Sequence, residues 1–214
     1  MLYILLATTG MMYHSCINDI KTIMNKLKIK YKLCIIDNSL PETYYKISGE
    51  DIICGSSNDY WEFSGFNKGL FELKSLNLNV NDAILFCTGA FMNPPVTVFG
   101  VSNEIFEKFM NSDYDILGHL DSFGQNYNVF ELNLNNWVRT NFFIVKYRVL
   151  QKLQFNFPLL QEIYYQKEKV FSNNLIEISR NWLKENRSST PNFEKKLFCV
   201  LYEKYLTYLW RSNN

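Results

Sequence analysis

Apolar residues occur along the chain in two patterns that predict different elements. Short apolar runs bounded by small polar residues are typical of strands buried on both faces of a sheet. Apolar positions spaced three or four residues apart are typical of helices that bury one side. The segments that predict strands lie at residues 2–7, 33–36, 52–54, 83–87, 114–118 and 141–145.

Helices are predicted between and after these strands. Their predicted positions are residues 17–27 and 61–76, a segment capped by Ser102, and much of the chain after residue 148. A short helix is also predicted after Pro41, because proline suits a first helical turn. Thr190 followed by Pro191 marks the start of the last helix.

Strands that alternate with helices predict an α/β fold. We expect a mostly parallel central sheet with helices on both faces, followed by a C-terminal helical extension. Residues 1–150 are expected to form the core, and residues 151–214 to form helices that pack on it. A chain of 214 residues can bury about 70% of the surface that its unfolded form exposes, so it needs no disulfide or structural metal.

Composition excludes several classes of protein. Hydrophobic residues make up 47% of the chain, and 22 Lys and Arg against 21 Asp and Glu leave a net charge of +1, unlike a disordered chain. This balance lacks the clustered positive charge with which proteins bind duplex DNA, so no nucleic-acid partner is expected. Five cysteines without CxxC spacing indicate free thiols in a reducing compartment, and two histidines leave no evident zinc site. The apolar run at residues 2–7 is too short to span a bilayer and lacks a signal peptide's positive flank, so a cytoplasmic location is expected.

Candidate chemistry lies where the strands end, because ligands of open α/β sheets bind beyond the carboxyl ends of the strands. Small polar residues follow five predicted strands, at residues 8–10, 37–39, 56–58, 87–89 and 118–121. Ordinary turns favour the same residue types, so position alone leaves the two interpretations equal. The sequence has no GxGxxG, GxxxxGK[ST], GxSxG or HExxH motif, which argues against the sites that those motifs form.

One ordered set of residues is more specific. It comprises a strand ending at Asp37, a loop led by Asn58, a helix opening with Gly65, Asn67 and Gly69, and a strand at residues 83–86. This order resembles the nucleotide-sugar half of GT-A glycosyltransferases, in particular the family 2 type found in bacterial surface-polysaccharide synthesis. The resemblance extends over about the first 150 residues as a succession of elements.

The resemblance implies roles for the residues at the strand ends. Asp37 would accept the imide N–H of uracil or thymine, although it could instead be an Asx-turn residue that stabilises its own loop. Thr8 and Thr9 would flank the nucleoside. Asn58 would help to hold the sugar-nucleotide loop, and Thr88 would complete the same cleft.

The same resemblance assigns the helix opening and the substrates. Gly65 and Gly69 would let the helix approach the sheet closely. Asn67 would belong to the cofactor-binding motif, or would face solvent if the resemblance does not hold. The implied donor is a nucleotide-sugar, and the implied acceptor is a glycan or a lipid-linked glycan.

The chain departs from this family after the strand at residues 83–86. There the family has acidic residues that hold a divalent cation against the pyrophosphate, whereas this chain has Cys87, Thr88, Gly89 and Ala90. Mn²⁺ and Mg²⁺ prefer carboxylate oxygens, so we expect no metal site here and a metal-independent reaction that uses Lys, Arg or helix N-termini. The alternatives are a metal held by residues elsewhere, and a protein that has lost catalysis and only binds.

Sugar transfer with inversion needs a general base for the acceptor hydroxyl. Asp121 follows a predicted strand and is the first candidate, ahead of Glu131 and Glu162. It could instead form a turn or pair with Arg139. Arg139 suits phosphate binding, because a guanidinium matches phosphate oxygens. His119 is a candidate contact for a phosphate or acceptor, or a hydrogen-bonded structural residue.

The C-terminal segment mixes aromatic and basic residues, namely Lys195, Lys196, Tyr205, Tyr208, Trp210 and Arg211. This mixture suits a peripheral contact with the inner face of a membrane. The helical spacing of Phe193, Leu197 and Leu201 suits a stripe that faces the core instead.

The leading hypothesis is a GT-A-like glycosyltransferase that moves a sugar from a nucleoside-diphosphate donor to a surface glycan or related acceptor. A catalytically inactive, glycosyltransferase-like binding module is the alternative. A third hypothesis is another nucleotide- or S-adenosylmethionine-dependent enzyme on a doubly wound sheet, which the missing glycine-rich first turn disfavours.

Overall fold

The computed structural model of the protein describes residues 1–10, 13–92, 102–152, 159–187 and 192–212. Its strands are β1 (Leu2–Thr8), β2 (Tyr31–Asp37), β3 (Tyr45–Ser48), β4 (Asp51–Gly55), β5 (Ala83–Thr88), β6 (Ile116–Asp121), β7 (Tyr127–Val129), β8 (Leu132–Leu134) and β9 (Trp137–Lys146). Its helices are α1 (Tyr13–Lys26), α2 (Glu62–Lys74), α3 (Asn103–Asn111), α4 (Tyr147–Lys152), α5 (Leu159–Tyr165), α6 (Lys167–Val170), α7 (Asn173–Arg187) and α8 (Phe193–Ser212).

The chain folds into two compact units. The first unit comprises residues 1–119 and 140–155, and the second comprises residues 120–139 and 156–214. The second unit therefore joins a segment from the middle of the chain to the C-terminal helices. The packing of those helices on the sheet, with a boundary at residue 150, stays a prediction.

Seven strands form one mixed sheet in the order β3-β4-β2-β1-β5-β9-β6. Strands β4, β2, β1 and β5 run parallel to one another, whereas the flanking strands β3 and β9 are antiparallel to β4 and β5 respectively. These pairings confirm the predicted α/β class with a mostly parallel central sheet.

Helices cover both faces of this sheet. Successive side chains of β1 point to opposite faces, and the two sets meet different helices. Ile4 and Leu6 pack in a cluster with Ile20 of α1 and Phe106 of α3. On the other face of β1, Leu5 lies against Gly69 of α2.

Helix α2 approaches the sheet closely through two glycines. A Cβ atom at Gly65 would lie 2.8 Å from the Ala7 Cβ, and one at Gly69 would lie 2.8 Å from Leu5 Cδ2. Contacts of that length are closer than two carbon atoms can pack. The predicted role of both glycines in close helix–sheet packing is therefore confirmed.

The predicted helix after Pro41 is wrong. The Tyr44 N–H donates to the Pro41 carbonyl oxygen, which closes a turn, and the chain then enters strand β3. Ser48 pairs with Asp51 across a two-residue turn in which Gly49 has a φ of 65°. A tight hairpin of this kind requires positive φ, which glycine adopts without strain. The alternating apolar and polar residues of Tyr45–Ser48 thus form an edge strand.

Other boundaries differ less from prediction. Ser102 caps α3 as predicted, its Oγ accepting from the Ile105 N–H at 3.2 Å. The strand expected at residues 114–118 begins at Ile116, and the one expected at residues 141–145 begins earlier, at Trp137. Thr190 and Pro191 lie outside the described residues.

The long helix α8 buries residues around much of its surface. Leu197 and Leu201 are buried, as expected of a core stripe, and Trp210 is 5% exposed. No helix within the described ranges has both the length and the apolarity needed to cross a bilayer. A peripheral membrane contact through α8 stays a prediction.

Lys204 of α8 is buried against aromatic rings of the second unit. Its Nζ lies 3.6 Å from the ring centroid of Trp137 and 5.1 Å from that of Phe123. The same atom lies 3.3 Å from a carboxylate oxygen of Glu203. Burial lowers the pKa of Lys204 to about 8, and the negative charges of Glu203 and Asp121 only partly oppose that effect.

Gly65→Ala is expected to destabilise the first unit by about 1–2 kcal/mol. The new methyl group would overpack against Ala7, which outweighs the gain in helix propensity. The free energy of unfolding in urea measures the effect. Lys74→Ala, on the exposed side of the same helix, should change stability by less than about 0.5 kcal/mol. An equal response of both variants would contradict the close packing.

Lys204→Met is expected to change how the free energy of unfolding depends on pH. Between the lowered folded pKa and the ordinary unfolded pKa, the unfolded chain binds more protons, so this lysine's stability contribution rises with pH. The wild type should therefore gain about 2 kcal/mol relative to Lys204→Met between pH 7.5 and 9.5. Urea titrations of both proteins at each pH measure this difference. The cysteines are the same in both proteins, so their contribution to the pH dependence of stability cancels. A difference that is flat with pH would show that Lys204 titrates normally.

Candidate functional site

The candidate site lies at the carboxyl edge of the parallel strands. Thr8 pairs in register with Asp37, which pairs in register with Gly55, and Ala7 pairs with Thr88. The chain places β2 on one side of β1 and β5 on the other, so the strand order reverses at β1. Open α/β sheets bind ligands at such a reversal point, because the connections diverge there and leave a crevice.

Asp37 ties the turns after β1 and β2 together. Its side chain is buried, and its Oδ1 accepts hydrogen bonds from the Gly10 N–H (2.9 Å), the Ser39 N–H (2.9 Å) and the Ser39 hydroxyl (2.7 Å). The bond to the Ser39 N–H is an Asx turn. Among the described residues, no hydrogen bond reaches Oδ2. Asp37 therefore stabilises its own loop with one oxygen and keeps the other as an acceptor.

Asn38 holds the loop between β4 and α2. Its backbone N–H donates to the Thr8 carbonyl oxygen at 2.8 Å. Its side-chain amide donates to the Trp61 carbonyl oxygen at 2.8 Å and to Asn58 Oδ1 at 3.4 Å, and it accepts from the Ser56 hydroxyl. Asn38 is not among the site residues predicted from the sequence. The signal was present, because Asn and Asp side chains after a buried strand commonly bond to neighbouring backbone groups.

The loop that Asn38 holds carries backbone strain. Asn58 has a φ of 55° and is exposed, and Trp61, which precedes α2, has a φ of 50°. Asparagine tolerates this left-handed region, whereas a bulky residue such as tryptophan rarely adopts it. Strained residues persist where surrounding contacts fix them and are concentrated at ligand sites. The contact with Asn38, which directly follows Asp37, places Asn58 on the same edge as Asp37.

The ends of β1 and β5 meet around the Thr8 hydroxyl. Thr8 Oγ1 is buried and has no hydrogen-bond partner among the described residues. A Cβ atom at Gly89 would lie 3.0 Å from it, and the Cys16 thiol donates to the Gly89 carbonyl oxygen at 3.1 Å. Thr88 is half-buried, and its hydroxyl accepts from the Ala90 N–H at 3.3 Å. A buried hydroxyl without a partner is costly, which makes Thr8 Oγ1 a candidate ligand contact.

Two further predicted contacts belong to the first unit. Thr9 is exposed directly after β1, and Asn67 is half-buried on α2. No hydrogen bond within the described part of the chain joins either side chain to Asp37. Thr9 therefore adjoins the candidate edge through the chain alone, and the structure leaves the role of Asn67 a prediction.

Asp121 and Arg139 lie together in the second unit. Arg139 Nε donates to Asp121 Oδ2 at 2.7 Å, and the Ser122 N–H donates to Asp121 Oδ1 at 2.9 Å. Both alternatives considered for Asp121, a turn and a pair with Arg139, are therefore present. The roles of Asp121 as a base and of Arg139 as a phosphate ligand stay predictions.

No group of three or more His, Cys, Asp or Glu side chains among the described residues is arranged to hold a metal ion.

In comparisons with known proteins, the chain matches no family model, no curated protein and no solved structure. The geometry of the chain itself must therefore carry any functional proposal.

Asp37→Ala is expected to destabilise the protein by about 1–3 kcal/mol more than Asp37→Asn. Alanine removes the acceptor of the Gly10 N–H, the Ser39 N–H and the Ser39 hydroxyl, whereas the asparagine carbonyl can replace Oδ1. Urea unfolding of both variants measures the difference. If both lose the same free energy, the carboxylate does not organise the two turns.

Proposed function

We propose that the carboxyl edge of β1, β2, β4 and β5 binds a uridine or thymidine diphosphate sugar, and that the protein is a GT-A-like glycosyltransferase. The observation that carries this proposal is that the two oxygens of the Asp37 carboxylate have different roles. Oδ1 is fixed by backbone donors, so Oδ2 is a preorganised acceptor at the crevice. The imide N–H of uracil or thymine is a donor that fits it.

Other features of the same edge support a nucleotide. The unpartnered Thr8 hydroxyl is enclosed near the end of β1, where a polar ligand atom that reaches it would supply the missing hydrogen bond. Helix α1 begins at Tyr13, three residues after Gly10, and the positive end of a helix dipole favours a nearby phosphate. The Asn38 contacts fix the loop at residues 56–61, which the proposal assigns to the sugar-phosphate part of the donor.

For the chemical step, we retain Asp121 as the proposed general base. It would accept the acceptor hydroxyl's proton while that oxygen forms its bond to the anomeric carbon and the nucleoside diphosphate departs. The ion pair with Arg139 fixes the orientation of Asp121 but must loosen for the carboxylate to take the proton. The charge of the departing diphosphate would be carried by Arg or Lys side chains and helix N-termini.

A second function is favoured by the same ion pair. If Asp121 stays bound to Arg139, the protein is a binding module that holds a nucleotide-sugar without transferring the sugar. Donor hydrolysis separates these functions. Turnover that falls in Asp121→Asn supports the transferase, whereas nucleotide binding without any turnover supports the binding module.

Asp37→Asn is expected to change the preferred nucleotide base from uracil or thymine to cytosine. The asparagine carbonyl can take over the backbone hydrogen bonds of Oδ1, which places its NH₂ donor where Oδ2 lay. That donor repels the imide N–H of uracil but fits the acceptor N3 of cytosine. Thermal shift should therefore show that UDP and TDP stabilise the wild type, and that CDP stabilises Asp37→Asn.

The matched control is Asp51→Asn, the same chemical change at the opposite, amino end of β4. It should keep the wild-type preference for UDP over CDP. Bound ligand at about 100 times its dissociation constant contributes about 2.7 kcal/mol to stability, which thermal shift detects. Absence of stabilisation by every nucleotide, or an unchanged UDP response in Asp37→Asn, would refute the proposed binding mode.

A further inference from the structure

The second unit contains an open cavity with a volume of about 640 Å³. Small-molecule sites commonly have volumes of about 300–1,000 Å³ and combine aromatic walls with a few polar groups. Five residues line this cavity, namely Phe130, Glu131, Leu132, Lys169 and Tyr208. None of them was assigned to the nucleotide edge, and all belong to the second unit.

Two aromatic side chains provide a wall of this cavity. Phe130 and Tyr208 have ring centroids 5.1 Å apart, and Tyr208 stacks in turn on Tyr205 at 5.9 Å. Phe130 is 44% exposed, so its ring is accessible to a ligand. An aromatic face carries partial negative charge and attracts polarised C–H groups.

The backbone holds Phe130 in an unfavourable conformation. Val129 pairs with Leu132, so Phe130 and Glu131 form the two-residue turn of the β7–β8 hairpin, and Phe130 has a φ of 47°. Glycine or asparagine is the usual residue at such a turn position. A bulky exposed residue held there is a backbone outlier of the kind found at ligand contacts. Folding alone would favour glycine at this position.

The two sides of the cavity are fixed to each other. The Phe130 N–H donates to the Val170 carbonyl oxygen at 2.6 Å, and Val129 forms a β-bridge with Phe171. Lys169 directly precedes this bonded segment. The hairpin turn and Lys169 are therefore positioned before any ligand binds, which lowers the entropic cost of binding.

The opposite charges of Glu131 and Lys169 in the cavity disfavour a ligand with a net charge of either sign. Glu131 and Lys169 form no ion pair with each other, and neither side chain has a hydrogen-bond partner among the described residues. A phosphate would be repelled by Glu131, and an organic cation would be repelled by Lys169. A neutral ligand with several hydroxyl groups can donate to the carboxylate and accept from the ammonium at once.

We infer that this cavity is a carbohydrate-binding site for a neutral sugar. The axial C–H groups of the pyranose ring would stack on Phe130 and Tyr208, while its hydroxyl groups bond to Glu131 and Lys169. This inference goes beyond the proposed nucleotide site, and it holds whether the protein transfers a sugar or only binds a glycan.

The test uses the full chain without nucleotide and a panel of maltose, cellobiose, lactose and N,N′-diacetylchitobiose. Saturation-transfer NMR and calorimetry measure binding to the wild type and to Phe130→Gly. Glycine adopts the φ of residue 130 without strain, which offsets part of the packing lost with the ring, so this variant should still unfold cooperatively in urea. Binding of at least one sugar, weakened fivefold or more in Phe130→Gly and in Glu131→Gln, is the expected result.

The matched control is Phe71→Ala. Phe71 is an exposed aromatic residue of the first unit with a lysine amine, that of Lys68, 5.6 Å from its ring centroid. Its replacement should leave sugar binding unchanged. The inference is overturned if no sugar of the panel binds, or if Phe130→Gly binds as tightly as the wild type. Because nucleotide is absent, neither result depends on the Asp37 proposal.

Discussion

The burial of β1 is the constraint on which the first unit depends. Every residue of this strand is buried, so its peptide groups cannot bond to water and must be paired by neighbouring strands. Parallel pairing with β2 and β5 satisfies this requirement and aligns the carboxyl ends of all three strands. Thr8, Asp37 and Thr88 therefore meet at one edge because a central apolar strand had to be hydrogen-bonded on both sides.

Asp37 shows how a structural role and a proposed binding role can coexist in one side chain. Its Oδ1 is engaged by backbone donors of two turns, and a carboxylate has a second oxygen with its own lone pairs. The interpretation as an Asx-turn residue and the interpretation as a base contact are thus compatible. Rigid fixation of one oxygen makes the other a better-positioned acceptor, because its orientation is already determined before a ligand arrives.

The second unit contains two features that cost folding free energy. Phe130 adopts a backbone conformation that suits glycine, and Lys204 is buried although its ammonium loses hydration. Trp137 and Glu203 offset part of the cost at Lys204 through a cation–π contact and an ion pair. At Phe130 the strain is offset in part by the hydrogen bond to Val170 and by ring contacts with Tyr205 and Tyr208, yet the ring stays partly exposed beside the cavity. This difference is why the cavity beside Phe130, rather than the environment of Lys204, carries a functional inference.

The sequence by itself determined most of the elements of the sheet, because apolar runs indicate strands buried on both faces. The close packing of α2 was predicted from the resemblance at Gly65 and Gly69, and it needed the structure to show which sheet atoms those glycines approach. The tertiary structure decided the strand order, the antiparallel pairing of β9 with β5 and the hairpin after Pro41. It also decided the hydrogen-bond partners of Asp37, Asn38 and Asp121. Periodicity records that a residue is buried but not which segment buries it, and hydrogen-bond partners distant along the chain are set only when the strands assemble. The strained turn at Phe130 escaped sequence analysis for the same reason, because nothing in the local pattern shows that a phenylalanine occupies a position suited to glycine.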